Sequence, residues 1–235
     1  MTAASERLAA GRVHVWHAAL DPPAPAPAAL AESLSSAERE RAARLRFDRD
    51  RRRYLMAHAF VRGLLARYLG CSPAAVALRS EAGGKPHLAA PATLRFNLAH
   101  SGELAVAGVA EGREVGADVE RIRALRADLA RRVLSARERA VLGEQRLTEA
   151  DLLACWTRKE AVLKATGEGL RRDPATVEVG SADGAEATLV TLEGNGGGGR
   201  WSVASLTPAD GYVAAVAVRG AGLQLLRREW EWSAW

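Results

Sequence analysis

The sequence predicts an α+β chain of two similar halves, each a small, mostly antiparallel sheet packed on a long helix. Two observations carry this expectation. Helix-start signals of one kind occur in both halves, Ser35-Ser36-Ala37-Glu38 and Ser135-Ala136-Arg137-Glu138. Each is followed by a longer helical stretch and then by short alternating segments separated by turn residues. The likeness is one of element order, without a clear residue-level repeat. A chain of 235 residues is enough for one large domain or two small ones.

Residues 13–20 (VHVWHAAL) open with alternation and predict a short strand. Residues 22–29 (PPAPAPAA) predict a loop, because proline lacks the amide a ladder needs. Ser35 with Glu38 three residues later is a capping box and predicts a helix to about Leu45. A longer helix is predicted over 50–69, with Leu55, Ala59, Val61, Leu64, Leu65 and Tyr68 on its apolar face and Gly70 as its stop. Strands are predicted at 76–80, 94–98 and 104–110, with a turn over 111–114.

The second half opens on a strictly alternating strand, 115–120 (VGADVE). Ser135 and Glu138 start one helix. Thr148-Glu149-Ala150-Asp151 starts another, which runs to about Thr166 and ends on Gly167 and Gly169. Strands are predicted at 175–180, 186–193, 200–206 and 212–218. The stretch 194–199 (GNGGGG) lacks the lysine and serine of a P-loop and precedes no helix, so it predicts a hairpin tip. Trp230 and Trp232 are two apart, as residues sharing a strand face over the core would be.

Composition narrows the function classes. The net charge of +5 favours anionic partners, among them phosphorylated small molecules, nucleic acid and acidic proteins. The arginines are spread through helical segments and form no tail, which argues against a nucleic-acid arm. Cys71 and Cys155 form no CxxC pair, which excludes a zinc ribbon, and both read as small core residues. The N-terminus has no apolar run of signal-peptide length, and no stretch approaches the ~20 apolar residues of a membrane helix, so a cytoplasmic protein is expected.

Four segments carry possible chemistry. Asp118 and Glu120 lie two apart on a strand and point to one face, with Ala117 and Val119 on the other. Paired carboxylates repel unless a cation joins them; taken alone they also fit a solvated polar face. In 156–170 (WTRKEAVLKATGEGL), Glu160 and Lys164 are four apart on one helical face. A surface ion pair would explain them, but Trp156 and Leu163 argue that this stretch packs on the core. Glu160 brought to Asp118 and Glu120 would complete an oxygen site suited to magnesium, with positions left for phosphates and water. In Gly83-Gly84-Lys85-Pro86-His87, glycine lets a ligand near the backbone and Lys85 can meet a phosphate; an ordinary basic turn has the same residues. His100, ending Phe96-Asn97-Leu98-Ala99-His100-Ser101, fits either a phosphate ligand or a structural histidine.

Taken together and in order, GGKPHL, FNLAHSG, VGADVE and WTRKEAVLKATGEGL resemble the Sfp-type 4'-phosphopantetheinyl transferases, over about residues 35–175. The resemblance implies a pseudo-dimer of two α/β halves with the active site in the cleft between them: 1–112 on the coenzyme A side and 113–235 on the metal and catalytic side. It implies magnesium held by Asp118, Glu120 and Glu160. It further implies that a carrier serine attacks the β-phosphate of coenzyme A and that 3',5'-ADP leaves. Glu160 is the implied base, directly or through water, and Lys164 the cation at the leaving phosphate. Gly84, Lys85, Pro86 and the backbone at Ala99 are implied at the nucleotide. His100 and Arg41 are implied at its 3'-phosphate, with Arg53 of the same kind.

Two departures stand out. Ala99 replaces a serine common in the family, and Glu38 replaces a lysine found in some members. The implied partners are coenzyme A and an apo acyl or peptidyl carrier protein, met by a monomer without nucleic acid or membrane. Two rival readings remain on the sequence. A metal-dependent nuclease or phosphodiesterase would use the carboxylates and lysine but not GGKPHL or FNLAHS. A non-catalytic coenzyme A or carrier-binding module would tolerate loss of Glu160 or Lys164.

Overall fold

Strand β1 (Arg12–Ala19) shows why the sheets form as they do. Its Val13 and Val15 enter one apolar cluster, while Trp16 and Ala18 enter another, so both faces of the strand are covered. The computed structural model describes residues 8–9, 11–22, 29–80, 84–90, 93–125, 128–142, 147–180, 187–193 and 198–234. β1 lies inside a four-stranded sheet with β4 (Leu94–Ser101), β5 (Leu104–Glu111) and β10 (Gln224–Glu229), in the order β10-β1-β5-β4. β10 runs parallel to β1; the other pairs are antiparallel. The last strand therefore joins the sheet of the first, across the sequence division at 112/113. Between β1 and β4 come the helices α1 (Ala29–Ser33), α2 (Ser36–Ala43) and α3 (Asp48–Leu69), then a two-stranded ribbon of β2 (Leu78–Ser80) and β3 (Pro86–Leu88).

The second sheet has the order β6-β9-β8-β7: β6 (Val115–Arg121), β7 (Thr188–Leu192), β8 (Gly199–Leu206) and β9 (Tyr212–Arg219), all antiparallel. The helices α4 (Leu129–Val133), α5 (Ala136–Leu142) and α6 (Glu149–Thr166) lie between β6 and β7 in sequence. The clusters give the layering. α3 packs Phe60, Leu64 and Leu65 on Trp16, Ala105, Ala107 and Val109. α6 packs Ala161, Val162 and Ala165 with Trp201, Ala215 and Ala217. Val13, Val15 and Val106 meet Ala117, Val119, Val216 and Val218 in a third cluster. Each sheet thus has a long helix on one face and the other sheet on the opposite face.

A recurring contact set underlies the shared element order. Ser35 caps α2, with Glu38 reaching back, and Glu38 also accepts from the buried Arg62 of α3 at 2.9 Å. Arg62 in turn donates to the Val76 carbonyl. In the second half Ser135 and Glu138 form the same box, and Glu138 meets the buried Lys159 of α6 at 2.6 Å. Arg39 and Arg139, each one residue after the box glutamate, donate to the carbonyls of Leu34 and Leu134. A residue-level correspondence therefore exists, carried by a few polar residues that periodicity does not weigh.

Several expectations need correction. Residues 175–180 form no strand; a 3-10 turn, Pro174–Thr176, leads into irregular chain. The reason is local: the Val179 amide donates to Glu138 and its carbonyl accepts from Arg158, so side chains have taken the bonds a ladder would use. The stretch 76–80 is a strand only from Leu78. Trp230 and Trp232 follow β10 and share no strand; Trp230 is buried against Trp16 and Phe60, and Trp232 stacks edge-on against it. Cys71 is exposed just past the end of α3, whereas Cys155 is buried and its thiol is pushed up to about 12 by burial. Gly83 and the tip residues 194–197 lie outside the described residues, though β7 and β8 do pair as a hairpin. Among the described residues no helix is long and apolar enough to cross a membrane.

Candidate active site

The site begins with a glycine. A Cβ on Gly116 would lie 2.0 Å from the Ala161 carbonyl oxygen and 2.5 Å from the Ala165 nitrogen. Only glycine lets α6 lie this close to β6. Gly116, Asp118 and Glu120 share the face of β6 that looks towards α6, while Val115, Ala117 and Val119 enter the cluster between the sheets. α6 is fixed at its start by the box of Thr148 and Asp151 and ends on Gly167, whose φ is 77°. Buried Arg158 and Lys159, bonded to Val179, Ser205, Pro174 and Glu138, anchor it along its length.

This packing brings Asp118, Glu160 and Lys164 together. Lys164 Nζ donates to Asp118 Oδ1 at 2.5 Å. Asp118 Oδ2 and Glu160 Oε1 are both buried without a hydrogen-bond partner. Burial lifts the Asp118 carboxyl to about 7; Lys164 opposes this, and the charges of Glu160 and Glu120 add to it. Burial also raises Glu160, again opposed by Lys164 and reinforced by Glu120. Glu120 is turned aside, its Oε2 accepting from Ser101 Oγ at 2.8 Å and from Arg123 at 3.0 Å.

Among the described residues no three His, Cys, Asp or Glu side chains stand close enough to hold a metal ion as they are. The donor chemistry nevertheless fits a hard cation. Two buried carboxylate oxygens lack partners, and unpaired buried oxygens are costly. Both carboxyls are shifted towards the proton, which a divalent ion would displace.

The residues expected at the nucleotide divide between two cavities. One, of about 600 Å³, is lined by Arg41, Arg53, Tyr54, His100, Ser101 and Arg121 among others. Arg53 there is already engaged, with Asp21 at 2.5 Å and Glu103 at 3.0 Å. Partial desolvation lowers the pKa of His100, and interactions with His58 and Lys164 lower it further. A second cavity, of about 480 Å³, is lined by Lys85 and Pro86 together with Arg95, Glu114, Thr166 and Arg219. Lys85 Nζ donates to Glu114 at 2.8 Å and to the Ala165 carbonyl at 3.0 Å, so the turn is tied to the end of α6. Gly84 takes φ 78° just before β3. Ala99 is buried in the cluster between the sheets.

Glu38, the second departure, is a structural residue. Its carboxylate serves the α2 cap, His58 and Arg62. Sequence reasoning gave no role to Asn97 or Ser101, whose side chains bond the backbone of β6 at Ala117 (2.9 Å) and Arg121 (3.2 Å). Their signal was an amide and a hydroxyl side chain flanking the buried Ala99 on one face of β4.

Comparisons with known proteins converge on one family. A family model described as the 4'-phosphopantetheinyl transferase superfamily matches residues 114–217, and one for the N-terminal part of a 4'-phosphopantetheinyl transferase matches 21–111. The 4'-phosphopantetheinyl transferase HetI of Nostoc sp. is 37% identical over 226 residues, covering 92% of each chain. The 4'-phosphopantetheinyl transferase psf-1 of Bacillus pumilus is 30% identical over 60% of each chain. A 4'-phosphopantetheinyl transferase of Bacillus subtilis is 28% identical over 52% of this chain and 54% of its own.

Proposed function

Given that this chain belongs to the 4'-phosphopantetheinyl transferase superfamily, we infer that it transfers the 4'-phosphopantetheine of coenzyme A to a serine of an apo carrier protein. The products are the holo carrier and 3',5'-ADP. One observation carries the assignment of the chemistry: the buried meeting of Asp118, Glu160 and Lys164 from two different elements, with two carboxylate oxygens unpartnered. The family assignment favours this over the nuclease and the non-catalytic module.

Asp118, Glu120 and Glu160 would hold magnesium, which supplies charge stabilisation for the pyrophosphate when bound. Glu160 takes the proton of the attacking serine, directly or through a water. The serine oxygen bonds to the β-phosphorus while the bond from that phosphorus to the oxygen of the departing 3',5'-ADP breaks. Lys164 leaves Asp118 to meet the charge growing on that oxygen. Arg41 and His100, facing one cavity, receive the 3'-phosphate, with Arg53 adding positive potential to its wall. Gly84, Lys85, Pro86 and the Ala99 backbone hold the rest of the nucleotide.

In this scheme residues 1–112 and 113–235 are the two halves of a pseudo-dimer, with β10 of the second crossing over to complete the sheet of the first and the reaction in the cleft between them. The recurring capping-box contacts support it. It describes a cytoplasmic monomer whose partners are coenzyme A and an acyl or peptidyl carrier, without nucleic acid or membrane.

The test is mass spectrometry of a purified apo carrier incubated with the enzyme, coenzyme A and magnesium. A gain of one phosphopantetheine, lost when the metal is chelated, is expected. An unmodified carrier across acyl and peptidyl types, or modification unaffected by chelation, would contradict the reading.

A further inference from the structure

β6 and β4 are both edge strands, at the ends of the orders β6-β9-β8-β7 and β10-β1-β5-β4. The free edge of β6 is partly buried, with Ala117 at 0% exposure, so its outward amides need acceptors. They do not find them in a ladder. Asn97 Oδ1 accepts the Ala117 amide at 2.9 Å, and Ser101 Oγ accepts the Arg121 amide at 3.2 Å. The two acceptors are four residues apart on β4, and the two donors four apart on β6. Between the donors lie Asp118 and Glu120. The Ser101 hydroxyl does a second thing at once: it donates to Glu120 Oε2 at 2.8 Å.

We propose that Asn97 and Ser101 are positioning residues, which pin the carboxylate strand β6 against β4 and, through Ser101, aim the Glu120 carboxylate. The proposal rests on the proposed function for what the carboxylates do, but not for the pinning itself. A slip of β6 by one residue would send Asp118 to the inter-sheet face and Ala117 towards α6. Two bonds at a four-residue spacing resist that slip, where one would act as a pivot. His100 lies between the two clamps on β4, and strand alternation turns it to the other face. One strand therefore holds the nucleotide-side imidazole and fixes the register of the carboxylates. Only a hydroxyl can accept the Arg121 amide and donate to Glu120 together; threonine retains this ability and alanine loses both.

The experiment compares the wild-type enzyme with Ser101→Ala and Ser101→Thr. Four quantities are read: kcat, KM for coenzyme A, the affinity for Mn²⁺ as a paramagnetic probe, and amide exchange at Arg121 in the metal-free protein. Loss of a hydrogen bond that orients a metal-binding carboxylate costs about 10- to 100-fold in affinity or activity. Ser101→Ala is expected to show a fall of that size in kcat and Mn²⁺ affinity, with KM for coenzyme A little changed and faster exchange at Arg121. Ser101→Thr is expected to restore all of these. Asn97→Ala should speed exchange at Ala117 if its fold survives. Wild-type kcat and wild-type exchange in Ser101→Ala would overturn the proposal. If the wild-type protein transfers phosphopantetheine but binds no Mn²⁺, the metal assignment fails, and kcat with Arg121 exchange still decides the positioning role.

Discussion

Lys164 bonds across to Asp118 on β6, at 2.5 Å, although Glu160 lies one helical turn away on its own helix. The cation is thereby held at the meeting of β6 and α6, beside two carboxylates whose protons burial makes hard to lose. A surface i,i+4 pair would be worth only ~0.3–0.5 kcal/mol. This pair instead offsets the buried charge of Asp118.

The first prediction follows from that contact. Lys164→Ala should lower kcat roughly 10²-fold or more, because the cation meets charge that grows only as the diphosphate bond breaks. The melt at neutral pH should move little, since Asp118, already near 7, can take up a proton instead of remaining an unpaired buried charge. Steady-state kinetics beside a thermal melt checks both. An unchanged kcat would reduce Lys164 to a structural partner of Asp118.

Gly116→Ala tests the seating of α6. Its new methyl would meet the Ala161 carbonyl at 2.0 Å, where backbone rather than a flexible side chain must yield. Overpacking of this kind costs typically about 1–3 kcal/mol. Because Glu160 and Lys164 ride on the displaced helix, transfer should fall with it. A variant with native stability and native rate would show that the helix can move without cost to the site.

His100→Ala should weaken coenzyme A more than dephospho-coenzyme A. His100 shares its cavity with Arg41, and a contact to the 3'-phosphate matters only when that phosphate is present. Calorimetry with the two ligands decides it; equal weakening would remove His100 from that role.

Glu38 gives a pH prediction. Burial raises its pKa, but bonds from His58, from the Ser35 backbone and hydroxyl, and from Arg62 outweigh this and bring it to about 2, against the usual 4.5. A lowered carboxyl stabilises the fold fully above its unfolded value and loses that contribution as pH falls through its folded one. Glu38→Gln should therefore cost on the order of 3 kcal/mol near neutrality, with the deficit shrinking from pH 4.5 towards 2. Denaturant melts across that range measure it; a constant deficit would contradict the assignment.

These cases also mark what the sequence could and could not reveal. The capping boxes, the long helices, and Asp118 and Glu120 on one strand face were legible, because each depends on neighbours within about four residues. The pairing of Lys164 with Asp118 was not: helical spacing points to Glu160, and only the sheet brings β6 under α6. β10 was missed because QLLRRE has little apolar pattern; it is held by backbone pairing to β1, far away in sequence. Residues 175–180 misled in the opposite sense. Their alternation is real, but Glu138 and Arg158 take the backbone bonds at Val179. Asn97 and Ser101 failed to register because their partners are backbone amides of another strand.

Asp118 and Glu160 are proposed, with Glu120, to hold the magnesium that transfer requires. The most direct measurement is the initial rate of carrier modification against magnesium concentration for the wild type, Asp118→Ala and Glu160→Ala, with a melt of each. Loss of a metal ligand removes several kcal/mol of transition-state stabilisation. A saturable magnesium dependence is expected in the wild type and essentially no transfer in either variant at any magnesium concentration, with both variants folded. Near-native turnover in either folded variant, or a wild-type rate indifferent to magnesium, would contradict the assignment.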